Sequence, residues 1–262
     1  MIEQEILLYK ELASFCNANK EQIETKFDRS VIFTDFNETC YREMYWNCRN
    51  IKEPKPVKEL KELVPGLDEA YKKWSPYYLR QRNSFNKNMD IQLGQWYEKA
   101  LQLFLASRGI TVTKRGFPYP DYEVSVDGKP IAYYELKYIE SPFLYANRKI
   151  EDPYPYTTSR YDYEASLTLD TGKKIFRQGE KMEELIEQGF PVHFIWWFDC
   201  FHIKGLFAYS AKEVYSYYNT IGANQLVRKQ RAGDKEAHQE IGKIYPPLLE
   251  MIPLGEYITL IS

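Results

Sequence analysis

The stretch Pro120-Asp121-Tyr122-Glu123-Val124-Ser125-Val126-Asp127-Gly128-Lys129-Pro130-Ile131-Ala132-Tyr133-Tyr134-Glu135-Leu136-Lys137 decides the fold. Two alternating runs flank Asp127-Gly128, a strong hairpin-turn signal. A three-residue loop, Asp127-Gly128-Lys129, sets Val126 opposite Pro130 and Asp121 opposite Glu135. One face of the pair then carries Asp121, Glu123 and Ser125 with Ile131, Tyr133, Glu135 and Lys137. The other carries Tyr122, Val124 and Val126 with Pro130, Ala132, Tyr134 and Leu136. The apolar residues separate onto one side, as a half-buried sheet requires. A two-residue loop shifts the pairing by one and mixes the faces, so the longer loop is the expectation.

Upstream of the hairpin, Ile91, Leu93, Trp96, Tyr97, Ala100, Leu101, Phe104 and Leu105 recur at helical spacing over 90–109. This is a long buried helix that Asn88 or Asp90 can cap and Gly109 can end. Gly94, Glu98 and Gln102, four apart, line one side of it. Ile110-Thr111-Val112-Thr113 is a short strand. Downstream, 139–175 is a long connection rich in Tyr, Pro and charge, and 180–188 a helix. The nearly continuous apolar run 191–198 is a central strand, with 201–209 beside it. A helix over 211–218 and a last strand over 257–261 complete the chain. Towards the N-terminus the pattern predicts helices over 2–17, 38–49 and 57–71, the last interrupted at Pro65-Gly66. Pro54-Lys55-Pro56 makes a break, and 75–88 is irregular and basic. The fold class is therefore α/β, a mixed β-sheet flanked by helices. Residues 90–262 form one domain, with a mostly helical portion, 1–89, built against it.

Composition narrows the function. The chain has 262 residues, 35 Lys plus Arg against 37 Asp plus Glu, a net charge of −2 and 44% hydrophobic residues. That supports a real core and excludes a disordered chain or a polybasic binder. A local basic groove remains compatible with it. No stretch approaches the ~18 apolar residues of a membrane span. Met1-Ile2-Glu3-Gln4-Glu5 lacks a signal pattern, so a cytoplasmic chain is expected. Cys16, Cys40, Cys48 and Cys200 form no CxxC pair, and His193, His202 and His238 are scattered. Zinc needs about four clustered ligands, so these are ordinary core or surface residues. No phosphate-binding glycine loop, GxGxxG or nucleophile elbow is present, which argues against a nucleotide cofactor or a serine hydrolase. Asp170-Thr171-Gly172 occurs once and in the wrong surroundings for an aspartic protease. The 23 Tyr, 14 Phe and 5 Trp suit wet grooves as well as cores.

The hairpin register carries the chemistry. Two opposed carboxylates repel, and a hard divalent cation such as Mg²⁺ resolves that. It takes Asp121, Glu135 and the Leu136 carbonyl while keeping waters for chemistry. Lys137, on the same face as Glu135, can orient or deprotonate the attacking water, or neutralise developing phosphate charge. A base role requires its pKa to fall far below the ordinary lysine value. The plain alternative is a surface lysine with Glu135 as its ion-pair partner.

Pro120-Asp121, thirteen residues, then Glu135-Leu136-Lys137 resembles the PD-(D/E)xK nuclease superfamily, and type II restriction endonucleases in particular. Glu59-Leu60-Lys61 is the same tripeptide on a helix surface. What makes the resemblance specific is context: Pro-Asp at the head of a strand, a hairpin, a second strand ending in Glu-x-Lys, and a preceding helix that carries a carboxylate. Glu98 matches that extra acid. The resemblance covers 90–205. It implies a restriction-endonuclease-like core with a catalytic domain over 90–262, and an N-terminal portion for DNA recognition or dimerisation. It implies Mg²⁺ (with Mn²⁺ as a substitute) held by Asp121, Glu135, Leu136 and Glu98, and hydrolysis of double-stranded DNA to 5′-phosphate and 3′-hydroxyl ends. It also makes a homodimer matched to a palindromic site a natural assembly. A resolvase, nicking enzyme or exonuclease of the same chemistry stays open, as does a non-catalytic DNA-binding protein.

Candidate DNA contacts follow from the basic runs. They are Arg80, Arg82 and Lys87; Asn147, Arg148, Lys149 and Arg160 in the connection after the Glu-x-Lys strand; Lys173, Lys174 and Arg177; and Asn224, Gln225, Arg228, Lys229 and Arg231. Arg and Asn suit guanine and adenine edges. A 37-residue connection, 139–175, without evident structure favours function or a hidden element.

Overall fold

The computed structural model describes residues 1–23, 29–80, 87–116, 119–139, 169–170, 178–221, 224–228, 239–244 and 246–262. In chain order the elements are α1 (Ile2–Ala18), α2 (Lys20–Ile23), α3 (Asp35–Cys40), a π-helical stretch (Tyr41–Trp46), α4 (Asn47–Ile51), α5 (Val57–Leu63), α6 (Leu67–Arg80) and α7 (Lys87–Ser107). Then come β1 (Thr111–Lys114), β2 (Tyr122–Val126), β3 (Lys129–Ile139), β4 (Leu169–Asp170), α8 (Gly179–Glu187), β5 (Val192–Asp199), β6 (Lys204–Ser210) and α9 (Ala211–Ile221). β7 (Asn224–Arg228), β8 (Gln239–Ile244), β9 (Ile252–Pro253) and α10 (Leu254–Leu260) complete the described chain.

Among the described residues, six strands form a mixed sheet in the order β1-β2-β3-β5-β6-β9, and β4-β8-β7 form a smaller one. All pairs are antiparallel except β3 with β5, which run parallel. Every residue of β5 from Val192 to Phe198 is buried. Strand alternation divides them: Val192, Phe194, Trp196 and Phe198 enter one hydrophobic cluster, Ile195 and Trp197 the other. The first cluster holds Ile6 of α1 and side chains from α3 to α6, α8 and α9; the second holds Tyr9, Leu12, Ala13 and Cys16 of α1 with side chains of α7 and α10. Helices therefore cover both faces, and the helical N-terminal region supplies both layers.

The hairpin closes differently from the expectation. Val126 pairs with Lys129, so the loop is the two-residue Asp127-Gly128. Both residues have positive φ, 50° and 73°, the pairing that a tight hairpin turn demands. The register then slips between Ser125, opposite Pro130, and Val124, opposite Ala132. Ile131 is the extra residue of a β-bulge. One residue fewer in the turn and one more in the strand cancel, so Glu123 faces Tyr133 and Tyr122 faces Tyr134. The expected separation of faces thus holds beyond the bulge: Tyr122, Val124, Ala132, Tyr134 and Leu136 all pack in the α7-side cluster.

The sequence reading did not anticipate β7 and β8, and two further segments depart from it. Residues 254–260 are helical, not a strand: Leu254, Tyr257 and Ile261 are buried while Leu260 is 52% exposed. That is a three-to-four-residue period. The short edge strand β9 precedes this helix. The segment from Ser75 to Arg80 continues α6 as helix through Pro76, where an irregular stretch over 75–88 was expected. Leu67 and Tyr71, buried in the first turns of α6, anchor it by tertiary packing.

Two stability measurements test this core. Ile261→Ala is expected to cost about 2–4 kcal/mol in urea unfolding, and Leu260→Ala about 0.5 or less. His193, on β5 against the Tyr257 ring, has its pKa pushed down to about 4 by burial. The unfolded chain binds a proton near pH 6.5 that the folded chain refuses until about pH 4. Stability from this group is full above about pH 6.5 and falls as pH drops towards 4. His193→Leu should therefore lose about 2 kcal/mol less than the parent between pH 7 and 4.5.

Candidate active site

The ladder between β2 and β3 ends in a side chain. Beyond the Tyr122–Tyr134 pair, the Asp121 amide donates to Glu135 Oε2 at 3.3 Å. The Asp121 carbonyl accepts the Arg115 amide at 2.7 Å, which ties the start of β2 to the end of β1. Glu135 is fully buried, and Lys137 Nζ donates to its Oε1 at 2.7 Å. Lys137 is itself 29% exposed, so the pair connects the interior to the surface. Strand geometry makes this possible, since residues two apart share a face. The identical tripeptide Glu59-Leu60-Lys61 lies in α5, where two residues span more than half a turn. There Leu60 is buried and Lys61 pairs with Asp68 at 2.9 Å.

Asp121, Glu135, Leu136 and Lys137 line one cleft of about 420 Å³. Glu98 of α7 lines it too, together with Ile91, Gly94 and Gln95 of that helix, Lys114 of β1, and Tyr119 and Tyr138. Gly94 and Glu98 thus share a side of α7 as expected, and Gln102, one turn on, donates to the Val112 carbonyl of β1. Ile91, expected in the core, is 48% exposed at this cleft. One wall rests on stacked rings: Tyr138 lies on Tyr97 at 5.1 Å and 15°. Tyr97 in turn donates to Asp199 Oδ2 at 2.8 Å. Burial pushes the Asp199 carboxyl up, but Lys204 and Arg29 outweigh it and hold its pKa below the ordinary value.

Glu98 has partners of its own. Its Oε2 accepts Lys114 Nζ at 2.7 Å and the Tyr122 hydroxyl at 2.8 Å. Burial, then the Glu98 charge, raises the Tyr122 phenol above its usual range, so it stays a donor. Lys114 and Tyr122 are opposite each other in the β1–β2 register. Alternation therefore puts them on the α7 face, and Asp121, one residue earlier, on the other. Glu98 and the Asp121–Glu135 pair approach the cleft from opposite faces of the sheet. Among the described residues, no three His, Cys, Asp or Glu side chains gather closely enough to hold a metal ion. The oxygens best suited to a hard cation are those of Asp121, Glu135 and the Leu136 carbonyl.

Of the expected DNA contacts, Arg80 ends α6, Lys87 opens α7, and Asn224, Gln225 and Arg228 lie on β7. Arg82, Asn147, Arg148, Lys149, Arg160, Lys173, Lys174, Arg177, Lys229 and Arg231 lie outside the described residues. The expected long connection over 139–175 contains β4, which pairs with β8. Sequence reasoning missed Lys114, Tyr119 and Tyr138. The link from β1 to β2 is too long for a turn rule, so nothing local aligned Lys114 with Tyr122. No described helix is long and apolar enough to cross a membrane. The four cysteines are buried, and none forms a disulfide among the described residues. Compared with family models, with curated proteins and with solved structures, the chain matches none.

Removing Lys137 leaves a carboxylate in the interior. Lys137→Ala is expected to cost about 1–3 kcal/mol at pH 7, below the ~3–5 of a fully enclosed pair because Lys137 reaches solvent. The loss should be smaller for Glu135→Gln at pH 7, because the amide leaves no charge to bury, and urea midpoints of the two variants read the difference.

Proposed function

We propose that the chain is a Mg²⁺-dependent endonuclease acting on double-stranded DNA, sequence-specific and similar to type II restriction enzymes of the PD-(D/E)xK superfamily. The observation that carries this is the convergence of Asp121, Glu135 and Lys137 on one cleft, with Glu135 buried beside its lysine. The context supports it: Pro120-Asp121 heads β2, a hairpin follows, Glu135-Leu136-Lys137 lies on β3, and α7 before them brings Glu98 to the cleft. Restriction-like recognition and a two-fold homodimer belong to the same proposal.

The donor set fits a hard cation, since Asp121, Glu135 and the Leu136 carbonyl offer only oxygens. When bound, Mg²⁺ (or Mn²⁺) would supply a Lewis acid for the scissile phosphate and a more acidic water. The chain's own groups do the rest. The Asp121 amide and Lys137 fix the Glu135 carboxylate from two sides. Lys137, as an ammonium at the cleft surface, orients the attacking water and stabilises charge developing on phosphate. Cleavage of the P–O3′ bond leaves a 3′-hydroxyl and a 5′-phosphate.

Asp121→Ala and Glu135→Ala should abolish cleavage of phage DNA in Mg²⁺ while DNA binding persists, because each removes repulsion from phosphate. Lys137→Ala should slow cleavage by about 10²–10³-fold. A chelator should stop the reaction and Mn²⁺ should restore it. Sequencing the ends shows whether a palindrome is cut; cleavage confined to branched or nicked DNA would move the enzyme to repair or recombination. Robust cleavage by Asp121→Ala would overturn the assignment.

A further inference from the structure

We propose that Lys114 is a phosphate anchor of the cleft, and that Glu98 acts through it as a positioning residue and not as a metal ligand. This rests on the nuclease reading above and adds a substrate contact to it. Lys114 closes the edge strand β1, and its side chain is 56% exposed while that of Glu98 is 19% exposed. Glu98 Oε2 and the Tyr122 ring, with its centroid 5.6 Å from Nζ, hold the ammonium against the wall of the cleft that contains Asp121 and Glu135. An ammonium carries three donors, and one hydrogen bond to Glu98 leaves two for phosphate oxygens.

Charge in the cleft points the same way. Its lining carries three carboxylates, Glu98, Asp121 and Glu135, against two ammoniums, Lys114 and Lys137. Lys137 is committed to the buried Glu135. A polyanion entering the cleft meets repulsion that the more exposed Lys114 is placed to offset. Glu98, already accepting two hydrogen bonds on one oxygen, lies outside any three-acid cluster among the described residues. Tyr122, buried, donates its hydroxyl to that same oxygen. The unit is thus a lysine held by a carboxylate that is itself held by a phenol.

The test pairs binding without metal with cleavage in Mg²⁺, on the full chain. Duplex DNA affinity is titrated with salt, in chelator, for the parent, Lys114→Ala, Lys114→Arg and Asp121→Ala. Lys114→Ala should lower the slope of log K against log salt by about 0.9, the loss of one phosphate contact. Lys114→Arg should restore it, and Asp121→Ala should keep the parent slope. In Mg²⁺, Lys114→Ala should raise KM several-fold more than it lowers kcat. Glu98→Gln should leave the half-saturating Mg²⁺ concentration within twofold, and its effect on KM should vanish in the Lys114→Ala background. A tenfold or greater rise in the Mg²⁺ requirement of Glu98→Gln would make Glu98 a ligand and overturn the positioning role. A cleaving parent whose salt slope survives Lys114→Ala overturns the anchor alone. A parent that binds with a Lys114-dependent slope yet never cleaves keeps the anchor and removes the nuclease reading. No affinity for duplex DNA removes both.

Discussion

β5 offers no solvated side from Val192 to Phe198, and a strand of that kind must be covered on both faces. The two hydrophobic clusters exist to do this, one on each face, and α7 and α10 are held apart from α8 and α9 by the sheet between them. The same constraint reaches the cleft. β3 runs parallel to β5, with Glu135 beside Phe194 and Lys137 beside Trp196. A carboxylate in that position has no access to water from its own strand. It is satisfied by a lysine two residues on and by the amide of the neighbouring strand. The charged centre is thus a consequence of where β3 lies in the sheet as much as of the residues it carries.

The parts of the fold legible in the sequence are those where a period runs long enough to count. α7 shows its apolar stripe over about four turns, and Trp96, Tyr97, Ala100, Leu101, Phe104 and Leu105 are all buried. β5 was legible as central because it has no polar face. The end of the chain was not: Tyr257-Ile258-Thr259-Leu260-Ile261 is β-branched and too short to separate a period of two from one of 3.6. Only the burial of Leu254 together with Tyr257 and Ile261 decides it.

The hairpin is the instructive case. Arguing from the faces gave the right partners at the Asp121 end by way of the wrong turn. The actual turn is one residue shorter and the strand one residue longer at Ile131. Apolar patterning constrains the sum of the two and not either one, so no count of hydrophobic residues could separate them. Of the site, Asp121, Glu135, Lys137 and Glu98 could be read from motif and spacing. Lys114 could not, because its place depends on a pairing between β1 and β2 that no local signal encodes.

The bulge at Ile131 separates two ends of one hairpin. Asp127, Gly128, Lys129 and Pro130 are exposed at its tip, while Asp121 and Glu135 lie at its base. About five strand residues, some 17 Å, lie between them. An exposed polar tip that far from the cleft is a natural handle: a reporter or a surface-immobilisation tag grafted there leaves the mouth of the cleft open.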